Sequence, residues 1–107
     1  MNLLDLLPPP ATDLESAFQS FHSRNPHVYE QLRDLAFLLQ DKGHRRIGIK
    51  MLFEQLRWLH ALQTTDMTGF KLNNNYTAYY SRMLMDREPR LVGFFETREP
   101  RRVYGEF

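Results

Sequence analysis

The chain has 107 residues, 42% of them hydrophobic and 25% charged, with no cysteine and a formal net charge of +1; that mix fits one domain with a core of its own. The missing cysteines exclude a disulfide-stapled scaffold and thiolate zinc sites, and no apolar run approaches the roughly 20 residues that cross a bilayer. A near-zero total charge does not by itself point to nucleic acid, membrane or an acidic substrate.

Met1 to Ala11 ends in Pro8-Pro9-Pro10, which favours an extended arm, and its Leu3, Leu4, Leu6 and Leu7 suit packing on the domain or on a partner. With neither a basic flank nor a full-length apolar region, it does not read as a signal peptide, so a cytoplasmic location is expected. The predicted domain organisation is this arm, 1–11, followed by a single helical domain, 12–107. Thr12 and Glu15 have the spacing of a capping box, predicting a helix over 13–23 with Leu14, Ala17, Phe18 and Phe21 on its inner stripe. Asn25-Pro26 is a second start signal for a helix ending at Gly43, with Val28, Tyr29, Leu32, Leu35, Ala36 and Leu39 inward. A third helix is predicted over 47–63 on the 3.6-residue repeat of Ile49, Leu52, Phe53, Leu56 and Leu59. Trp58 lies beside that stripe and reads as core, its N–H able to reach solvent. After a polar connection carrying Gly69, with Phe70 and Leu72 tucked inward, a fourth helix is predicted over 75–87, ending before Pro89. From Arg90 onward, Leu91, Val92, Phe94 and Phe95 suit either a short helix or a strand in a hairpin with Val103 and Tyr104. The fold class is therefore all-α: a small four-helix domain of helix-turn-helix or winged-helix type, with the C-terminal β-hairpin as one outcome for the tail.

Charge is unevenly placed. Residues 1–42 carry three cations against six carboxylates, a net −3, whereas residues 43–82 carry six cations against two, a net +4. A basic middle of this kind can mark a surface for an anionic partner, and equally an ordinary solvated face.

Reactive constellations are missing. His22, His27, His44 and His60 do not have metal-ligand spacing, and there is no P-loop, GxGxxG, GxSxG or nucleophilic cysteine. Glu30 and Asp34 pair on a polar helix face rather than as a dyad. No enzyme activity, metal or cofactor is expected. The arrangement that does suggest a function is the third and fourth helices with their connection, read as a helix-turn-helix-like element. Asn74, Asn75, Thr77, Ser81 and Arg82 are residue types that bond base edges or phosphates, and Arg45, Arg46, Lys50 and Lys71 could hold the backbone of double-stranded DNA. If the tail forms a ribbon, Arg98, Arg101 and Arg102 would sit where a winged helix carries its wing. Two features weigh against a tight motif: the connection is longer than three or four residues, and Tyr76, Tyr79 and Tyr80 read as core packing before a base-stacking platform. The competing reading is a protein-interaction module, such as an inhibitor of host machinery, acting through the apolar arm or the Phe94-Phe95 tail.

HRRIGIKMLFEQLRW (44–58), FKLNNNYTAYYSRMLM (70–85) and EPRLVGFFETR (88–98) resemble a group of small phage- and prophage-encoded bacterial proteins with no settled activity. The resemblance runs from His22 to Arg98, about three quarters of the chain, and is carried above all by these three segments. It implies a bacterial or phage setting and a regulator, DNA-binding accessory factor or host-directed inhibitor, and it transfers no binding residue.

Overall fold

The computed structural model describes residues 12–65 and 71–96. The predicted arm, Gly69 and Phe70 of the connection, and the would-be hairpin partners Val103 and Tyr104 lie outside them.

Four α-helices form in the order α1 (Asp13–Arg24), α2 (Pro26–Asp41), α3 (Ile49–Gln63) and α4 (Thr77–Arg87), with 3-10 turns at Asn74–Tyr76 and Pro89–Leu91. The architecture is all-α, as expected. Each helix start follows from local chemistry. Thr12 accepts from the Glu15 amide at 3.0 Å while the Glu15 carboxylate takes the Thr12 amide, the reciprocal capping box that satisfies two orphan donors. Pro26 opens α2 at a position where a missing N–H costs nothing. Asn25, expected as its side-chain cap, instead donates its amide nitrogen back to the Phe21 carbonyl at 2.9 Å, closing α1. Gly43 ends α2 at φ +107°: its amide bonds the Gln40 carbonyl at 3.0 Å and the His44 amide the Leu39 carbonyl at 3.2 Å, the paired bonds of a Schellman stop.

α2 is the centre of the bundle and packs on α1, α3 and α4. Val28, Leu32 and Ala36 on it are wholly buried, against Leu52, Phe53 and Leu56 of α3 and Tyr80 and Leu84 of α4 in one core. α1 contributes Phe18, whose ring meets Tyr80 edge-on at 4.9 Å and stacks on Tyr79 at 5.0 Å. Tyr76 and Tyr80 are buried and Tyr79 half-buried, so the tyrosine cluster is core and core rim. Leu14 and Ala17 of the predicted α1 stripe are exposed, leaving Phe18 and Phe21 to hold that helix.

Four further sequence expectations change. The third helix begins at Ile49 rather than Ile47, because the Ile47 amide and carbonyl are committed elsewhere: they bond the Phe94 carbonyl (2.9 Å) and the Glu96 amide (2.8 Å) in a single parallel bridge to Phe95. The tail after Arg90 is thus a 3-10 turn followed by one bridging residue, and this bridge is the only β pairing among the described residues. Phe94 and Phe95 are 2% and 1% exposed, so they close the core and cannot be the aromatic docking tail of an interaction module. Trp58 is 57% exposed, because it lies on the helix face opposite Ile49 and Leu56.

Arg90 clamps the tail onto α2. Its Nε donates to the Gln40 side chain at 2.7 Å, its Nη2 to Asp41 at 2.6 Å, and its guanidinium lies 4.3 Å over the Phe37 ring. The Gln40 amide completes the clamp by donating to the Arg90 carbonyl.

Candidate nucleic-acid interface

The start of α3 faces the start of α4 across a concavity of about 500 Å³. Gly48, Ile49 and Lys50 form one wall, Asn74, Thr77, Ala78, Ser81 and Arg82 the other, and Glu96 lies at its edge. Five of the nine predicted binding residues (Lys50, Asn74, Thr77, Ser81 and Arg82) therefore line one depression although Lys50 and Arg82 are far apart in sequence. Two constraints assemble it. The Ile47–Phe95 bridge fixes where α3 begins, and Arg57 fixes the approach to α4: its Nη2 donates to the Leu72 carbonyl at 2.6 Å and to the Asn74 side-chain oxygen, while Nη1 bonds Glu54 at 2.9 Å.

The polar groups are not equally available. Ser81 is 6% exposed and its hydroxyl donates to the Ala78 carbonyl at 3.1 Å, so it is turned into its own helix. The Thr77 hydroxyl donates to the Asn74 carbonyl at 3.0 Å and holds the 3-10 turn to α4. Asn74 receives Arg57. Asn73 rather than Asn74 or Asn75 caps the turn, its side-chain oxygen accepting the Asn75 amide at 2.8 Å. The Asn75 side chain is exposed. What the depression offers a ligand is chiefly charge: exposed Lys50 on one wall and exposed Arg82 on the other, the latter 5.1 Å over the Tyr79 ring, which limits its freedom. Arg45, Arg46 and Lys71 are exposed as well but do not line the depression.

Glu96 is the residue sequence reasoning missed. Its carboxylate lies 3.7 Å from where a Cβ on Gly48 would stand, beside the N-cap of α3, which has no side-chain cap of its own. A carboxylate there complements the positive end of the helix dipole and opposes any second anion. No local pattern could have announced it, since only the bridge at Phe95 brings it to Gly48. A β-carbon at position 48 would stand at ordinary van der Waals distance from it, so the approach does not itself require glycine.

The described residues include no group of three or more His, Asp or Glu side chains placed to hold a metal ion, and no helix among them is long and apolar enough to cross a membrane. Between α3 and α4 the chain runs from Thr64 to Asn73 before the 3-10 turn begins, well beyond the turn of a tight helix-turn-helix. No family model, curated protein or solved structure matches the chain.

Proposed function

We propose that this is a small phage-type DNA-binding protein that grips the phosphate backbone of double-stranded DNA with the cations around the α3–α4 concavity. One observation carries the reading: Lys50 and Arg82, from separate helices, stand on opposite walls of one depression whose single described carboxylate is Glu96. Arg45, Arg46 and Lys71 extend the positive character of this part of the chain. Phosphate contacts of this kind position a duplex without reading it. Base discrimination falls to exposed Asn75, since Ser81 is turned inward and Asn74 and Thr77 are engaged locally. Glu96 acts as an internal competitor that weakens the grip.

Fluorescence anisotropy with a labelled duplex across a salt series tests this. Five engaged cations give a slope of log K against log salt near −4.5, from about −0.9 per phosphate neutralised. Lys50→Ala with Arg82→Ala should flatten that slope by roughly 2, an Arg45→Ala/Arg46→Ala/Lys71→Ala variant should weaken binding further, and Glu96→Gln should tighten it. Absence of binding at low salt, or a Glu96→Gln variant that binds more weakly, would overturn the assignment.

A further inference from the structure

We infer that the outer face of α3 is a self-association surface, on which a second copy of this chain docks antiparallel about a twofold axis. Met51, Trp58 and Leu62 are 49%, 57% and 66% exposed. Their spacing, i, i+7 and i+11, confines them to a strip about 40° wide at 100° per residue, on the side of α3 away from the core. Single exposed apolar side chains need no explanation; three in one strip, with an open depression between Met51 and Trp58, form a patch.

The order of residues along the strip selects the occupant. In an antiparallel helix pair, residues face each other when their numbers share a constant sum. The register that sets Met51 against Leu62 of the second copy does so at both ends of a twofold interface, and between them lays each Trp58 ring against Gln55 of the other copy, beside the depression that Met51, Gln55 and Trp58 line. Charge follows the same register. Glu54 and Arg57, paired with each other at 2.9 Å within each chain, lie on one flank of the strip, and the twofold brings the two pairs together, Glu54 of each copy within about a turn of Arg57 of the other, as a four-charge cluster of alternating sign. Lys50 falls beside the last turn of the opposite α3, where the helix dipole favours a cation. An anionic lipid surface would meet Lys50 and Arg57 beside the strip but would also press on the Glu54 carboxylate at its middle, which a second copy instead pairs with a cation. The 15 residues of α3 span about 22 Å. A strip of that length buries less than the roughly 800 Å² per partner of a standard interface, so the dimer is reversible and forms with rising concentration.

Sedimentation velocity over a concentration series, without nucleic acid, reads the mass directly. The native chain should move from monomer to dimer. Met51→Lys and Leu62→Glu should each weaken association by about 100-fold, because each change enters a twofold interface twice. Both positions are exposed, and circular dichroism should show an unchanged fold. An equimolar mixture of the two variants should recover the dimer, since the new ammonium at 51 then faces the new carboxylate at 62 while a Met–Leu contact survives at the other end. Arg82→Ala, which weakens the proposed DNA grip, should leave the dimer mass unaltered. A native chain that stays monomeric throughout, a Met51→Lys variant that still dimerises, or a mixture that fails to recover the dimer would overturn the inference. So would a monomer whose Trp58 fluorescence shifts only on phosphatidylglycerol vesicles, which would assign the face to a membrane.

Discussion

Replacing Tyr80 with Phe should stabilise the protein. Tyr80 is wholly buried, with its ring held edge-on by Phe18 at 4.9 Å, His22 at 6.0 Å and Phe53 at 5.9 Å, yet its hydroxyl has no hydrogen-bond partner among the described residues. Burial drives the phenol pKa far upward, so the group is neutral at every working pH. Desolvating a hydroxyl without a new partner costs about 1–3 kcal/mol in proteins. Tyr80→Phe keeps the ring and its three edge contacts, removes that cost, and leaves a gap only one oxygen in size. A net gain of about 1–2 kcal/mol follows, which in a domain of this length raises Tm by roughly 5–10 °C. Urea unfolding followed by circular dichroism should move to a higher midpoint with an unchanged m value. Tyr29→Phe is the control: its hydroxyl donates to Glu88 at 3.3 Å, so its removal should be neutral or mildly destabilising. A Tyr80→Phe variant that melts below the native chain would refute the reasoning, because the hydroxyl would then have to be paired in solution.

Two further outcomes are expected. Burial first, and the Arg87 charge second, hold the His22 imidazole below its ordinary 6.5, so the unfolded chain takes up the proton before the folded one. Stability from this residue is then complete above about pH 6.5 and declines as pH falls through the folded-state value; His22→Phe should flatten that decline relative to the native chain between about pH 7.5 and 5, and an unchanged profile would contradict it. Arg57→Ala leaves the part-buried Leu72 carbonyl without its donor and frees Asn74, costing about 1.5–3 kcal/mol in urea unfolding. Arg57→Lys should recover less than half of that, because an ammonium cannot reproduce the guanidinium fork.

The helices were legible where apolar spacing and end chemistry agree: Thr12 with Glu15, Pro26, and Gly43 each mark a boundary that the backbone geometry then uses. The features that escaped are non-local. Ile47 continues the apolar repeat of α3, and only its bonds to Phe94 and Glu96 reveal why it stands outside the helix. Trp58 was read by residue type, whereas its angular position, half a turn from the buried stripe, sets its exposure. In the candidate interface the sequence named Lys50 and Arg82, and the fold sets them on opposite walls of one depression. The sequence missed Glu96 because that residue reaches Gly48 through the fold, and it overrated Ser81, whose hydroxyl is consumed by its own helix.

The single bridge between Ile47 and Phe95 also orders events in time. Leu91, Phe94 and Phe95, all buried, belong to the last stretch of the described chain. During synthesis at about 5–20 residues per second, Ile47 waits roughly 2–10 seconds for its partner to be made. Until then the four helices can collapse but the core has an open side, and α3 can unravel from its first turn. Final closure therefore waits until Phe95 has been made, and a chain stalled before Leu91 would present its interior to chaperones and proteases rather than a working surface.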